Sequence, residues 1–169
     1  MIAPLSLSNL LTVLVAFTCY VAASRQAHGG LTRIWQLAAP ALLAAVAALV
    51  LLAGVFAATW QNDLEWLVAF LLGAAIGHFQ GWRLKIAVDD ARGALLLPPS
   101  RSTRVAAFAV VILAGIDFVS AYLRDPVVEP QHVASLAALF AGYLGFRTLS
   151  IAARVEQRER KSRDRSRPT

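Results

Sequence analysis

Asp117 is the residue whose type and place most invite chemistry. It lies in AVVILAGIDFVSAYL, toward the C-terminal end of a long apolar run. An ionisable group at the bilayer centre costs about 2.5–3.5 kcal/mol on insertion scales, so it turns toward a neighbouring helix or water. Ala114, Ser120 and Ala121 share its helical face. Asp117 therefore has two readings. As a functional group it is a protonation site, a cation ligand or the counter-charge for a partner. As a structural group it is a carboxyl hydrogen-bonded to hydroxyls and backbone.

His78 and Arg147 are the other candidate intramembrane polar residues, near the inner ends of the third and fifth apolar runs. A lone histidine is expected to be a hydrogen-bonded packing residue. A haem held between helices needs a second axial ligand, and His28 and His132 belong to loops on opposite sides. Arg147 is expected to snorkel to the headgroups. It shares a stripe with Tyr143, Ser150 and Arg154 at helical spacing. Asn9, Thr12 and Cys19 share a face of the first run and read as interhelical hydrogen-bonding groups.

Several chemistries are disfavoured. Dithiol shuttling needs two cysteines, and the chain has only Cys19. His-Glu-x-x-His, Gly-x-Ser-x-Gly, Gly-x-x-x-x-Gly-Lys and Cys-x-x-Cys are all missing. Asp89-Asp90 is a carboxylate pair, but it lies in a turn sequence. The two halves of the chain show no inverted repeat, which weakens a transporter assignment. No enzyme activity, cofactor or metal is expected.

The elements that must position these residues are membrane spans. Of the 169 residues 58% are hydrophobic and 15% charged, and the mean hydropathy is +0.61. About 20 apolar residues cross a hydrocarbon core. Five stretches qualify: Ile2–Ala23, Ile34–Thr59, Leu64–Trp82, Val105–Leu123 and Val133–Ala153. The first lacks the basic lead and cleavage site of a signal peptide. With the N-terminus outside, almost every arginine and lysine falls on the inner side, while Asp63, Glu65, Asp125 and Glu129 fall outside. Trp35 and Trp82 then mark inner helix ends, Trp60 and Trp66 outer ones. The net charge of +6 follows from this bias and from attraction to anionic lipid, not from nucleic-acid binding. The expected organisation is a polytopic transmembrane domain over residues 1–154 and a basic, solvated cytoplasmic tail over 155–169, disordered or partly helical. Short loops and the preference for arginine over lysine point to a bacterial cytoplasmic membrane.

RLKIAVDDARGALLLPPS, between the third and fourth spans, breaks the apolar pattern. Leu84, Ile86 and Val88 alternate with Lys85, Ala87 and Asp89, the period of a strand. Asp90 and Gly93 supply a turn, and Pro98-Pro99 end a returning strand. A short cytoplasmic β-hairpin is expected. The rival is a helix running on from the third span, opposed by Gly81, Gly93 and the prolines.

Small residues recur every fourth position at Ala69, Gly73, Gly77 and Gly81, and again at Ala134, Ala138 and Gly142 and at Ala137, Ala141 and Gly145. In lipid such stripes let two backbones approach closely. They serve either packing inside one bundle or a homodimer or partner seam. Pro40 is expected to bend or tilt the second span.

The glycine-spaced GAAIGHFQG, the basic stretch, the D…G turn and a serine before the next span resemble the CcdC-like small integral membrane proteins. Gly73, Gly77, Gly93 and Ser100 carry the resemblance, which covers roughly residues 70–120. It implies an association with cytochrome c maturation and supplies no catalytic residue. The expected protein is thus an all-α membrane protein of five transmembrane helices with one hairpin. Its expected role is that of a non-enzymatic accessory or scaffold subunit, linked to cytochrome or respiratory assembly. The alternative is a small transporter or proton-coupled channel using Asp117.

Overall fold

In hydrocarbon every backbone N–H and C=O must find a partner within the chain, so a long apolar run becomes a helix. The computed structural model describes residues 6–32, 34–54, 60–84, 87–89 and 94–165. Its elements are α1 (Leu7–Ala27), β1 (Gly30–Thr32), α2 (Ile34–Ala53), α3 (Trp60–Arg83), β2 (Ala87–Asp89), β3 (Ala94–Leu97), α4 (Arg101–Leu123) and α5 (Pro130–Arg165). All five helices are long and apolar enough to cross a membrane. This is the architecture of a helical multi-pass membrane protein.

Local chemistry sets the helix ends. Ser6 is the N-cap of α1, and its backbone N–H donates to Asn9 Oδ1 at 3.1 Å. That cap places the start at Leu7 rather than at Ile2. Asp63 lies in the first turn of α3, where a carboxylate complements the helix dipole, and α3 begins at Trp60 instead of Leu64. Pro98 and Pro99 precede the N-cap Ser100 of α4, and Pro130 occupies the first position of α5.

Pro40 sits inside α2 without ending it. Proline removes the N–H that would have bonded the carbonyl four residues earlier, that of Gln36. The Gln26 side-chain amide of α1 donates to that carbonyl instead. The Pro40 carbonyl in turn accepts the Cys19 thiol at 3.2 Å, and Cys19 is buried.

Of the two expected states of the tail, the helical one is found over residues 155–165, which continue α5. The physical reason is propensity. ARVEQRERKSRDR contains no glycine or proline, and Glu156 and Glu159 stand four residues before Arg160 and Arg163.

The helices form a bundle in which α5 packs against α3, α2 and α4, while α1 packs against α4 and α2. The core is built of small side chains: Ala16, Ala23, Ala44, Ala47, Ala107 and Ala137 are fully buried. Small residues bring backbones together where lipid offers no hydrophobic drive between helices. The large apolar side chains turn outward instead, among them Leu67, Leu71, Ile76 and Phe79 of α3. Trp35 and Trp82 at one end of the bundle and Trp60 at the other are exposed, as an aromatic belt requires.

The end of the bundle where α1 and α3 finish and α2 and α4 begin carries a three-stranded antiparallel sheet, in the order β1-β3-β2. Val88 pairs with Leu95, and Leu31 pairs with Leu96. The sheet therefore differs from the two-stranded hairpin expected over 83–100. A strand from the α1–α2 connection covers the free edge of β3, and Ser100 N–H donates to the Ala27 carbonyl nearby at 3.2 Å. Backbone pairing satisfies groups that two separate loops would leave to the headgroup region. The expected turn residues Asp90 and Gly93 lie outside the described residues. Leu84, expected in the first strand, instead packs on Leu37, Ile151 and Val155.

Candidate functional site

The α3–α5 seam brings together most of the polar residues singled out from the sequence. Its middle is held by glycine. A Cβ added at Gly73 would fall 1.9 Å from the Leu139 carbonyl oxygen, and one at Gly77 would fall 2.1 Å from that of Tyr143. From the other side, a Cβ at Gly142 would meet the Phe70 carbonyl at 2.4 Å. The α3 glycine stripe is thus occupied by α5 of the same chain. Gly145 has open space at its Cβ position, so the second α5 stripe is not a close contact there.

One end of the seam is tied by Glu65, which accepts hydrogen bonds from Gln131 and, at 2.8 Å, contacts His132 Nδ1. The residues are more than 60 positions apart in sequence, and their spacing carries no signal of the pairing.

The other end holds the Tyr143, Arg147, Ser150 and Arg154 stripe. Tyr143 donates to Gln80 Oε1 at 2.6 Å. Ser150 donates to the Phe146 carbonyl and lies 2.8 Å from His78 Nδ1. A hydroxyl has one hydrogen, so Nδ1 is the donor to Ser150. His78 is a packing residue of the seam, and its ring stands 6.0 Å from that of Trp82. Arg154 donates from one nitrogen to the carbonyls of Gly81, Trp82 and Leu84 at 3.0, 2.9 and 2.7 Å. These are carbonyls that the end of α3 leaves without helical partners, so the guanidinium acts as its cap. Gly81 permits the approach: a Cβ there would lie 2.7 Å from Ser150 Cβ and 2.9 Å from the Arg147 carbonyl.

Arg147 is not where snorkelling would put it. The residue is only 6% exposed, and its Nε has no hydrogen-bond partner among the described residues. The glycines draw α5 onto α3, and the start of α4 closes the other side. The side chain lines a cleft of about 210 Å³ shared with Gln80, Arg83, Leu84, Ser100 and Ser102. A buried donor without a partner costs about 1–3 kcal/mol, so the Nε of Arg147 is a liability for the fold.

Asp117 lies elsewhere, between α4 and α1. It is half-buried and accepts a 2.9 Å hydrogen bond from Asn9 Nδ2. Asn9 Oδ1 is occupied by the Ser6 hydroxyl at 2.7 Å and by the Ser6 backbone N–H. Those two donors orient the amide so that its NH2 faces Asp117. Ser120, expected on the same face, is buried and accepts the Val127 N–H at 3.2 Å. Thr12 donates to the Ser8 carbonyl within α1. The structure therefore groups His78 and Arg147 at the α3–α5 seam and leaves Asp117 apart from them.

Among the described residues no three or more of His, Cys, Asp and Glu gather as a metal-binding group. No protein-family model matches the chain, and no curated protein or solved structure matches it.

Proposed function

We propose that this protein is a non-enzymatic accessory or scaffold subunit of a bacterial cytoplasmic membrane, with its N-terminus outside and its C-terminus in the cytoplasm. One observation carries the reading. Asp117 and His78, two of the intramembrane groups most capable of chemistry, are each engaged by a side chain of a neighbouring helix, Asn9 and Ser150. Such groups hold helices in place. The orientation rests on the arginines: Arg25, Arg83, Arg101, Arg104 and Arg154 all stand at the sheet-bearing end of the bundle. The likeness to CcdC-like proteins supports cytochrome or respiratory assembly as the setting. The outward apolar face of α3 is open to lipid or to a membrane-protein partner.

The test is gentle purification from native membranes at native expression, followed by mass spectrometry and a visible absorption spectrum. A stoichiometric second protein is the expected result. A preparation containing this chain alone would remove the accessory reading.

The transporter reading keeps one favourable observation. A continuous run of hydrogen bonds leads from Ser6 at the start of α1 through Asn9 to Asp117. It requires that Asp117→Asn abolish flux in proteoliposomes while the folded yield is kept. Unchanged flux, or none in the unaltered protein, would exclude it.

A further inference from the structure

We propose that the cleft between α3, α4 and α5 binds a phosphate-bearing anion, with Arg147 as its buried cation and Arg83, Ser100 and Ser102 as its outer ligands. The inference does not depend on the accessory reading.

The polar groups that line the cleft have donors to offer. Arg147, more than nine-tenths buried, lines the cleft, and its Nε, sealed from solvent, has no partner among the described residues. Arg83 also lines the cleft, and its guanidinium carbon lies 4.0 Å from the centre of the Phe79 ring, which restrains it near the mouth. Gln80 uses its oxygen to accept from Tyr143, which leaves its NH2 hydrogens as donors. Ser100 and Ser102 place their hydroxyl oxygens 3.1 Å apart. The Ser100 hydroxyl also lies 3.2 Å from that of Thr103, so the three hydroxyls form one cluster at the start of α4. Among the described residues no carboxylate lines the cleft.

The backbone adds to this. α4 is 23 residues long and begins at the cleft, and the Ser100 side chain makes no capping bond to it. Its first N–H groups and dipole favour an anion at that point. Donors converge from a guanidinium on α5, a guanidinium and an amide on α3, and the start of α4. A carboxylate has two oxygens to answer them, whereas a phosphate has up to four. The planar fork of arginine matches phosphate oxygens in pairs. The cleft of about 210 Å³ far exceeds what one water needs, about 10–15 Å³. It lies at the end of the bundle near Trp82 and Trp35, the depth of lipid headgroups. The phosphate can therefore come from a phospholipid headgroup or from a small soluble anion.

The experiment uses the full chain, purified in detergent and stripped of lipid. One arm titrates inorganic phosphate at constant ionic strength and follows the thermal unfolding midpoint. The other adds phosphatidylglycerol, or a phosphate-free glycolipid, and counts retained lipid by native mass spectrometry. A rise in midpoint with inorganic phosphate identifies a small anion. Retention of phosphatidylglycerol but not of glycolipid identifies the headgroup. Either supports the site. In whichever arm binds, Arg147→Met should weaken binding about tenfold or more. Arg83→Gln changes an exposed side chain and should also weaken binding, so the test survives misfolding of the first variant. Arg25→Gln removes a charge from the same end, outside the cleft, and should leave binding unchanged. Binding of neither probe, equal retention of glycolipid, or equal weakening by Arg25→Gln and Arg83→Gln would overturn the proposal.

Discussion

Asp117 and Arg147 are both charged side chains set into apolar helices, and the fold treats them differently. Asp117 meets the Asn9 amide at 2.9 Å, and that amide is itself fixed by Ser6. Arg147 is more deeply buried and its Nε has no partner among the described residues. An ionisable group with a polar neighbour is explained by the bundle itself. A buried guanidinium whose Nε has no partner among the described residues, beside a cleft lined by further donors, is what the proposed anion would answer. Hydrophobic cost alone does not separate the two, because both residues are expensive in lipid. The partner census does.

The comparison can be broken at the seam that buries Arg147. Gly77→Ala places a methyl 2.1 Å from the Tyr143 carbonyl oxygen, a contact with backbone that cannot turn aside. A loss of about 3 kcal/mol is expected from such overpacking, read as a lower midpoint in SDS-induced unfolding followed by circular dichroism. Gly145→Ala, on the facing helix but with open space at its Cβ position, should instead gain about 0.5–1 kcal/mol from helix propensity. Similar values for the two variants would mean that the helices do not approach as described.

Arg154 sharpens the contrast within the same stripe. It lies seven residues beyond Arg147, and it is satisfied by three carbonyls at the end of α3. Arg154→Gln should cost about 2 kcal/mol, the scale of hydrogen bonds to a charged group, and hydrogen exchange should rise in the last turn of α3. Exchange unchanged in that turn would remove the capping role.

The smallest effects are the most diagnostic because their signs oppose. A double-mutant cycle with Asn9→Ala and Asp117→Asn should return a favourable coupling of about 0.6 kcal/mol, and no more than about 1.7. In phosphate-free detergent Arg147→Met should be neutral or should stabilise by about 1 kcal/mol, since it removes a buried guanidinium whose Nε has no partner among the described residues and keeps an apolar stem of similar length. A destabilising Arg147→Met under those conditions would mean that the guanidinium has a partner within the chain.

Much of this arrangement is legible residue by residue. The apolar runs mark five spans, and a cap such as Ser6 moves the start of α1 by about one and a half turns from the expected Ile2 to Leu7. The fourfold spacing of Gly73, Gly77 and Gly81 marks a face made for close approach. The spacing of Tyr143, Arg147, Ser150 and Arg154 marks the stripe that meets it. The alternation after Leu84 marks strand, though not the strand at Gly30–Thr32 that covers its neighbour's edge. In the basic tail the run of charges suggests solvation, while the lack of glycine and proline favours the helix that continues to Arg165.

What the sequence by itself determined are quantities that add up locally: apolar length, small-residue period, and the gathering of arginine at one end. Lipid acts on each segment separately, so these can be read one segment at a time. Only the tertiary structure decided who meets whom. Asn9 and Asp117 stand 108 positions apart, Glu65 and His132 67, and Ser150 and His78 72. The Gln26 amide finds the carbonyl freed by Pro40 across two helices. Pairings of this kind depend on the rotation and depth of whole helices, which many weak contacts set together. The burial of Arg147 follows from the same cause: three glycines on another helix bring the backbones together, and nothing in the residues beside it shows that they will.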